Sequence, residues 1–245
     1  MKAVILAAGR GSRLKGFTED KPKCLNKIGE HTMIDIQISS LKAAGINDIT
    51  IVTGYRSEML EHLGRTIKNE IWNETNMVSS LLCAKSEFDT EVIVSYADII
   101  YEKRTVSLLI ESQKDFSIIY DKKWRTLWEL RCDNPLDDAE SFMIDENNKI
   151  TDIGRNVDNY DEIQGQYTGL MKFSQNALSV IKDTLNKLPS ELIKKMDMTT
   201  LLRTLIHNKN NIYGVPINGN WCEIDTIADL KLANQLYQDG QILQS

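Results

Sequence analysis

The chain opens with an apolar run, Lys2-Ala3-Val4-Ile5-Leu6, which gives way to a loop carrying Gly9, Gly11 and Gly16. A short hydrophobic run broken by glycines predicts a buried strand over 2–6. Apolar residues then recur at helical spacing as Met33, Ile34, Ile36, Ile38, Leu41 and Ala44, and Gly45 follows them. That pattern predicts a helix with a glycine stop. "DITIVTG" at 48–54 predicts a second strand, and 57–64 a second helix. Strand and helix alternate, so the expected fold is α/β, with a mostly parallel, doubly wound sheet.

Further along, the pattern predicts a strand over 67–73 and a helix over 76–85. Residues 91–101 read as one buried strand whose polar residues cluster at its carboxyl end. A helix over 106–113 and a strand over 116–121 follow. Between 122 and 165 the rhythm breaks. This stretch holds two tryptophans, many acids and short strand candidates at 141–145 and 149–153, and it reads as an inserted lid region that supplies substrate specificity. Strands at 165–173 and 211–217, helices near 174–187 and 198–207, and a closing helix over 226–238 complete the pattern. With no internal repeat, low-complexity tract or long linker, residues 1–245 read as a single domain.

Composition narrows the partners. At 245 residues, 42% hydrophobic, the chain can bury a sizeable core. A net charge of −6 argues against nucleic acid as a partner. Positive charge for a phosphate ligand must therefore be local, from a few side chains and a metal ion. The first apolar run is too short for a signal peptide or a membrane span. Cys24, Cys83, Cys132 and Cys222 are scattered with no CxxC pair, so a reduced cytoplasmic protein without membrane contact is expected. His31, His62 and His207 form no cluster with ligand spacing.

The chemistry concentrates in the first loop. A glycine-rich turn after a first strand exposes backbone N–H groups that form an anion site. It is not Walker A, since no GxxxxGK[ST] string occurs. Nor is it the dinucleotide fingerprint, since Leu14 stands where the third glycine belongs. Arg13 can fork two phosphate oxygens, and Lys23, behind the stiff Pro22, offers a second cation. Asp98 falls at a strand end and Asp225 just before the last helix. Each has a local alternative role, Asp98 as a strand-end cap and Asp225 as the N-cap of the helix near Ile227. Glu223 lies two residues from Asp225, on the same side if that stretch is extended.

"LAAGRGSRL…KPKCL", "VSYADIIY" and "NWCEIDTIADL" together resemble the nucleotidyltransferases that activate sugar phosphates and phosphocholine. The resemblance implies a Rossmann-like three-layer α/β/α fold with a mostly parallel mixed sheet and a small inserted lid. It implies that Leu6, Ala7, Ala8, Gly9, Gly11, Ser12 and Arg13 hold a nucleotide, that Lys23 stabilises charge at the α-phosphate, and that Asp98 and Asp225 hold Mg²⁺. "NMVSSL" at 76–81 replaces the small-residue run of the sugar-nucleotide members. Asn76 and Ser80, four apart, can then hydrogen-bond a pyrimidine edge, as in the phosphocholine cytidylyltransferase branch. In "DKKWRTLWELRC" the same branch implies Asp121, Trp124 and Trp128, with Tyr167, as acceptor-binding residues, boxing a cationic head group by charge and cation–π attraction. Packing in the core is the alternative for the tryptophans. The expected activity is transfer of CMP from CTP to a small phosphate or phosphonate acceptor (phosphocholine, phosphoethanolamine or 2-aminoethylphosphonate class). A sugar-1-phosphate nucleotidyltransferase using dTTP, UTP or GTP, and a non-catalytic nucleotide-binding protein, are the alternatives. A homodimer stays open.

Overall fold

A computed structural model describes residues 1–243. Thirteen strands and eight α-helices follow in order among those residues. They are β1 (Lys2–Ala7), β2 (Lys27–Ile28), β3 (His31–Thr32), α1 (Met33–Ala43), β4 (Ile49–Thr53), β5 (Arg65–Lys68), α2 (Met77–Cys83), β6 (Val92–Tyr96), β7 (Ile99–Tyr101) and α3 (Lys103–Glu111). The second half adds β8 (Phe116–Asp121), α4 (Trp124–Arg131), β9 (Glu140–Ile144), β10 (Ile150–Asn156), β11 (Gln166–Phe173), α5 (Gln175–Leu185), α6 (Ser190–Lys195), α7 (Met198–His207), β12 (Ile212–Ile217), β13 (Trp221–Glu223) and α8 (Ile227–Gln238).

Seven strands form the central sheet in the order β12-β8-β11-β6-β1-β4-β5. All neighbours pair in parallel except β11, which runs antiparallel between β6 and β8. Alternation along β1 shows why it lies at the centre. Ala3, Ile5 and Ala7 enter one core cluster, while Val4, Leu6 and the following Ala8 enter the other. A strand with both faces buried must be apolar at every position. Helices α1, α3, α4 and α8 cover the first face through Ile34, Leu41, Val106, Leu109, Trp124, Leu230 and Leu236. Helices α2, α5 and α7 cover the other through Val78, Leu81, Ile181, Leu201 and Leu205. The result is the expected three-layer α/β/α arrangement.

Three predicted elements differ. Residues 57–64 form two 3₁₀ turns, Ser57–Met59 and Glu61–Leu63, rather than an α-helix. Arg56 before them is left-handed and Gly64 after them has φ 138°, so the segment is too short to propagate a helix. The strand predicted over 67–73 is displaced to Arg65–Lys68, and a 3₁₀ turn at Trp72–Glu74 follows. The single strand predicted over 91–101 is two. β6 lies in the central sheet, whereas β7 leaves it to pair with β13, with Ala97 and Asp98 at the break. The polar residues at that strand's end mark a departure from the sheet.

Within 122–165 lie α4, a 3₁₀ turn at Pro135–Asp137 and the β9–β10 hairpin. β9 packs against β11 and β10 against α7, so this segment borders the carboxyl end of β8 and the antiparallel β11.

Candidate active site

Open α/β sheets bind ligands beyond the carboxyl ends of their strands, where the strand order reverses direction. Here that point lies between β1 and β6. The loop after β1 turns through Gly11, whose φ is 72°. A Cβ there would sit 2.6 Å from the Lys23 side chain. Glycine is thus required twice, for the left-handed backbone and for the passage of Lys23. Pro22 precedes the 3₁₀ turn Lys23–Leu25, which directs Lys23 back across the loop.

Lys23 Nζ donates to Asp98 Oδ2 at 2.9 Å and to Asp225 Oδ1 at 2.5 Å. Arg13 reaches the same Asp225 oxygen at 2.9 Å, although its side chain is 65% exposed. The two acids, far apart in sequence, meet because Ile99 pairs with Glu223 in the β7–β13 ladder. The Ile224 amide then donates to the Asp98 carbonyl at 2.9 Å. Asp225 is not the cap of α8. Thr226 is, in a capping box with Asp229. Burial works against charge on Lys23, but Asp98 and Asp225 outweigh it and raise its pKa. Burial likewise opposes ionisation of Asp225, yet Lys23 and then Arg13 hold its carboxyl below the ordinary value. Glu223 moves the other way, raised first by burial and then by the Asp225 charge.

Two cavities meet here. One, of about 210 Å³, is lined by Leu6, Ala7, Ala8, Gly9, Gly11, Arg13, Lys23, Asn76, Ser80, Asp98 and Asp225, with Trp72 and Met77 closing it. The other, of about 330 Å³, takes Tyr96, Trp128, Asp138, Glu140, Tyr167, Asp197 and Glu223 as walls. Arg13, Asn76, Met77 and Asp225 line both. The second cavity exists partly because Gly169 is left-handed at the β11 irregularity. A Cβ there would sit 2.6 Å from the Tyr96 ring. Five carboxylates (Asp138, Glu140, Asp197, Glu223 and Asp225) face it against one guanidinium. Burial, then the Asp197 charge, raise the Glu140 pKa.

Several expected site residues are placed elsewhere. Ser12 is exposed and lines neither cavity. Asp121 is a correction. Its carboxylate is 1% exposed and accepts from the Lys123 and Gly219 amides and from Trp221 Nε1, at 2.8, 2.9 and 2.9 Å. Both of its oxygens are engaged inside the protein, and it lines neither cavity. Trp124 is a second correction, since it is buried against Trp128 and Tyr160 and lines neither cavity. Trp128 does line the second cavity, and its buried Nε1 has no hydrogen-bond partner among the described residues. Asn76 caps α2, accepting from the Met77 amide at 2.7 Å and donating to the Lys195 carbonyl. Ser80 Oγ accepts from Asn69 at 3.1 Å. Asn69 and Trp72 were not singled out from the sequence. The four-residue spacing of Asn76 and Ser80 gives no pointer to the buried Asn69 in the preceding loop.

The donor set fits a divalent cation. Asp98 Oδ1 is buried and without a hydrogen-bond partner among the described residues, and Asp225 shares Lys23 with it. Two hard carboxylates are the usual protein contribution to a magnesium site, with phosphate oxygens and waters completing it.

Residues 3–140 match the MobA-like NTP transferase domain. The CTP:phosphoglutamine cytidylyltransferase of Campylobacter jejuni is 39% identical to this chain, over 95% of this chain and 98% of that protein. Two solved structures share the fold. The CTP:phosphocholine cytidylyltransferase from Streptococcus pneumoniae has a TM-score of 0.73 at 23% identity, covering 96% of this chain and 98% of that one. The inositol-1-phosphate CTP transferase from T. maritima has a TM-score of 0.77 at 21% identity, covering 97% and 95%.

Proposed function

The chain belongs to the MobA-like NTP transferase family, and on that premise we propose that it is a magnesium-dependent cytidylyltransferase that moves CMP from CTP onto the phosphate or phosphonate of a small, ammonium-bearing acceptor. The observation that carries this reading is the lysine bridge. Lys23 spans Asp98 and Asp225 where the two cavities meet, which is where an α-phosphorus would stand between nucleotide and acceptor.

In this reading the first cavity takes the nucleotide. Ser80 Oγ accepts from Asn69, so its own hydroxyl proton is free to donate to a pyrimidine carbonyl or ring nitrogen. The backbone of Gly9 and Gly11 and the guanidinium of Arg13 face the phosphates. Asp98 and Asp225 would hold the magnesium ion, which when bound neutralises and orients the triphosphate oxygens. The second cavity takes the acceptor. Asp225, Glu223 and Asp138 are met by Lys23, Arg13 and Arg131, whereas Glu140 and Asp197 form no ion pair among the described residues, and these two favour a positively charged head group over a neutral sugar. Phosphocholine, phosphoethanolamine, 2-aminoethylphosphonate and phosphoglutamine all carry such a group.

The acceptor's phosphate oxygen forms its bond to the α-phosphorus as the bond to the bridging oxygen of the β-phosphate breaks, and pyrophosphate leaves. That attacking oxygen is already ionised at neutral pH, so no general base is needed. Lys23 and Arg13 act by orientation and by meeting charge that grows in the transition state.

Pyrophosphate release from CTP, UTP, dTTP and GTP, each with these four acceptors and glucose 1-phosphate, tests the reading. Turnover with CTP and an ammonium-bearing acceptor is expected. Preferential turnover of glucose 1-phosphate with dTTP or UTP would overturn it in favour of a sugar-nucleotide enzyme, and no turnover with any pair would leave a binding protein.

A further inference from the structure

Arg131, the last residue of α4, belongs to the inserted stretch, yet it ends among the residues around Asp225. Its side chain is 3% exposed. Nε donates to Asp229 Oδ1 at 3.0 Å, and Nη1 donates to Glu223 Oε2 at 3.1 Å and approaches Asp138 at 3.6 Å. The guanidinium lies 4.6 Å from the Trp128 ring centroid. The Asp229 carboxylate is divided. Oδ1 faces Arg131, while Oδ2 accepts from the Asp225 amide at 3.0 Å, from the Thr226 amide at 2.8 Å and from the Thr226 hydroxyl at 3.0 Å. One side chain from the acceptor side thus reaches the backbone of Asp225 through a single carboxylate, holds Glu223 directly, and sits on a wall tryptophan of the second cavity.

We propose that Arg131 is a positioning residue that sets Asp225, through Asp229, in the orientation that holds the divalent cation, and so makes the inserted segment part of the metal-binding geometry. The inference rests on the cytidylyltransferase reading. A guanidinium suits this task because its planar fork meets two carboxylates at fixed angles, whereas an ammonium is a point charge on a flexible stem. Outer partners of metal ligands commonly control affinity by orienting the ligand. Helix α8 does not depend on Arg131 for its start, because the Thr226–Asp229 capping box is complete without it. The ion network therefore has a consequence separable from helix stability.

The test is a titration of the full chain with Mn²⁺ in the presence of CTP and without acceptor, reading free Mn²⁺ by electron paramagnetic resonance. Arg131→Met removes a buried charge from among three acids and risks misfolding, so Arg131→Lys is the working variant, with its fold checked by circular dichroism and melting. The expected result for Arg131→Lys is Mn²⁺ affinity weaker by ~10–100-fold, with CTP affinity measured without metal almost unchanged. In turnover, the half-saturating Mg²⁺ concentration rises while kcat at saturating Mg²⁺ recovers, a split that simple loss of folded protein does not produce. A folded Arg131→Lys protein with wild-type Mn²⁺ affinity overturns the inference and leaves the functional reading standing. A wild-type protein that binds no Mn²⁺ with CTP overturns both.

Discussion

Two aspartates at corresponding places in the sheet have opposite fates. Asp98 follows Tyr96 and Ala97 at the carboxyl end of β6, and Asp121 follows Tyr120 at the end of β8, with only β11 between the two strands. Asp121 is saturated, with three donors from its own surroundings meeting its two oxygens. Asp98 is under-supplied, since Lys23 meets one oxygen and none of the described residues meets the other. Residue type is the same, and both stand at the carboxyl end of a strand of one sheet. What separates a structural carboxylate from an available one is the local count of N–H groups. The Gly219–Trp221 turn delivers them at β8, and the departure of β7 from the sheet withholds them at β6.

Substitutions sharpen that contrast, and the largest effect is expected at its centre. Lys23→Ala removes the one cation bridging the available pair, and kcat should fall ~100- to 1000-fold, the scale for losing one preorganised charge-stabilising donor. A kcat near wild type in steady-state assays would remove Lys23 from the reaction. Next in size is the paired comparison. Asp121→Asn should destabilise the fold by about 2–3 kcal/mol in urea unfolding, because an amide nitrogen would face donors that need an acceptor, while the folded fraction keeps its kcat. Asp98→Asn should do the reverse in turnover, abolishing the magnesium-dependent reaction, while its urea midpoint moves less than that of Asp121→Asn because the amide oxygen still accepts from Lys23. Identical behaviour of the two variants would dissolve the distinction. The smallest effect belongs to Gly11→Ala, which forces a left-handed alanine costing about 1–2 kcal/mol and presses a methyl into the Lys23 stem. Its melting temperature should drop, and the KM for CTP should rise along with it.

Much of this was legible along the chain. Apolar runs of period 2 and 3.6 locate the central strands and the long helices, because burial on one or both faces dictates those patterns. Arg13 and Lys23 stand out beside glycine and proline, Asp98 and Asp225 at a strand end and before a helix within stretches that resemble the family, and the fold brings all four together. What escaped was decided by tertiary partners. Nothing in "VIVSYADIIY" reveals that its second half pairs with residues 221–223, since either sheet would bury those side chains. Asp121 and Trp124 read like ligand residues because buried hydrogen bonding and packing draw on the same polar and aromatic types as a binding site. Asn69 and Arg131 meet partners well separated in sequence, and local spacing carries no trace of those.

Cys24 shares a 3₁₀ turn with Lys23, is 2% exposed, and has its thiol pushed up to about 12 by burial. Only the thiolate attacks an alkylating reagent, so burial keeps this sulfur slow to modify although it borders the first cavity. Its loss to iodoacetamide should therefore lag behind that of the half-buried Cys83 and Cys132, which makes the sulfur beside Lys23 a probe of how tightly that turn is held.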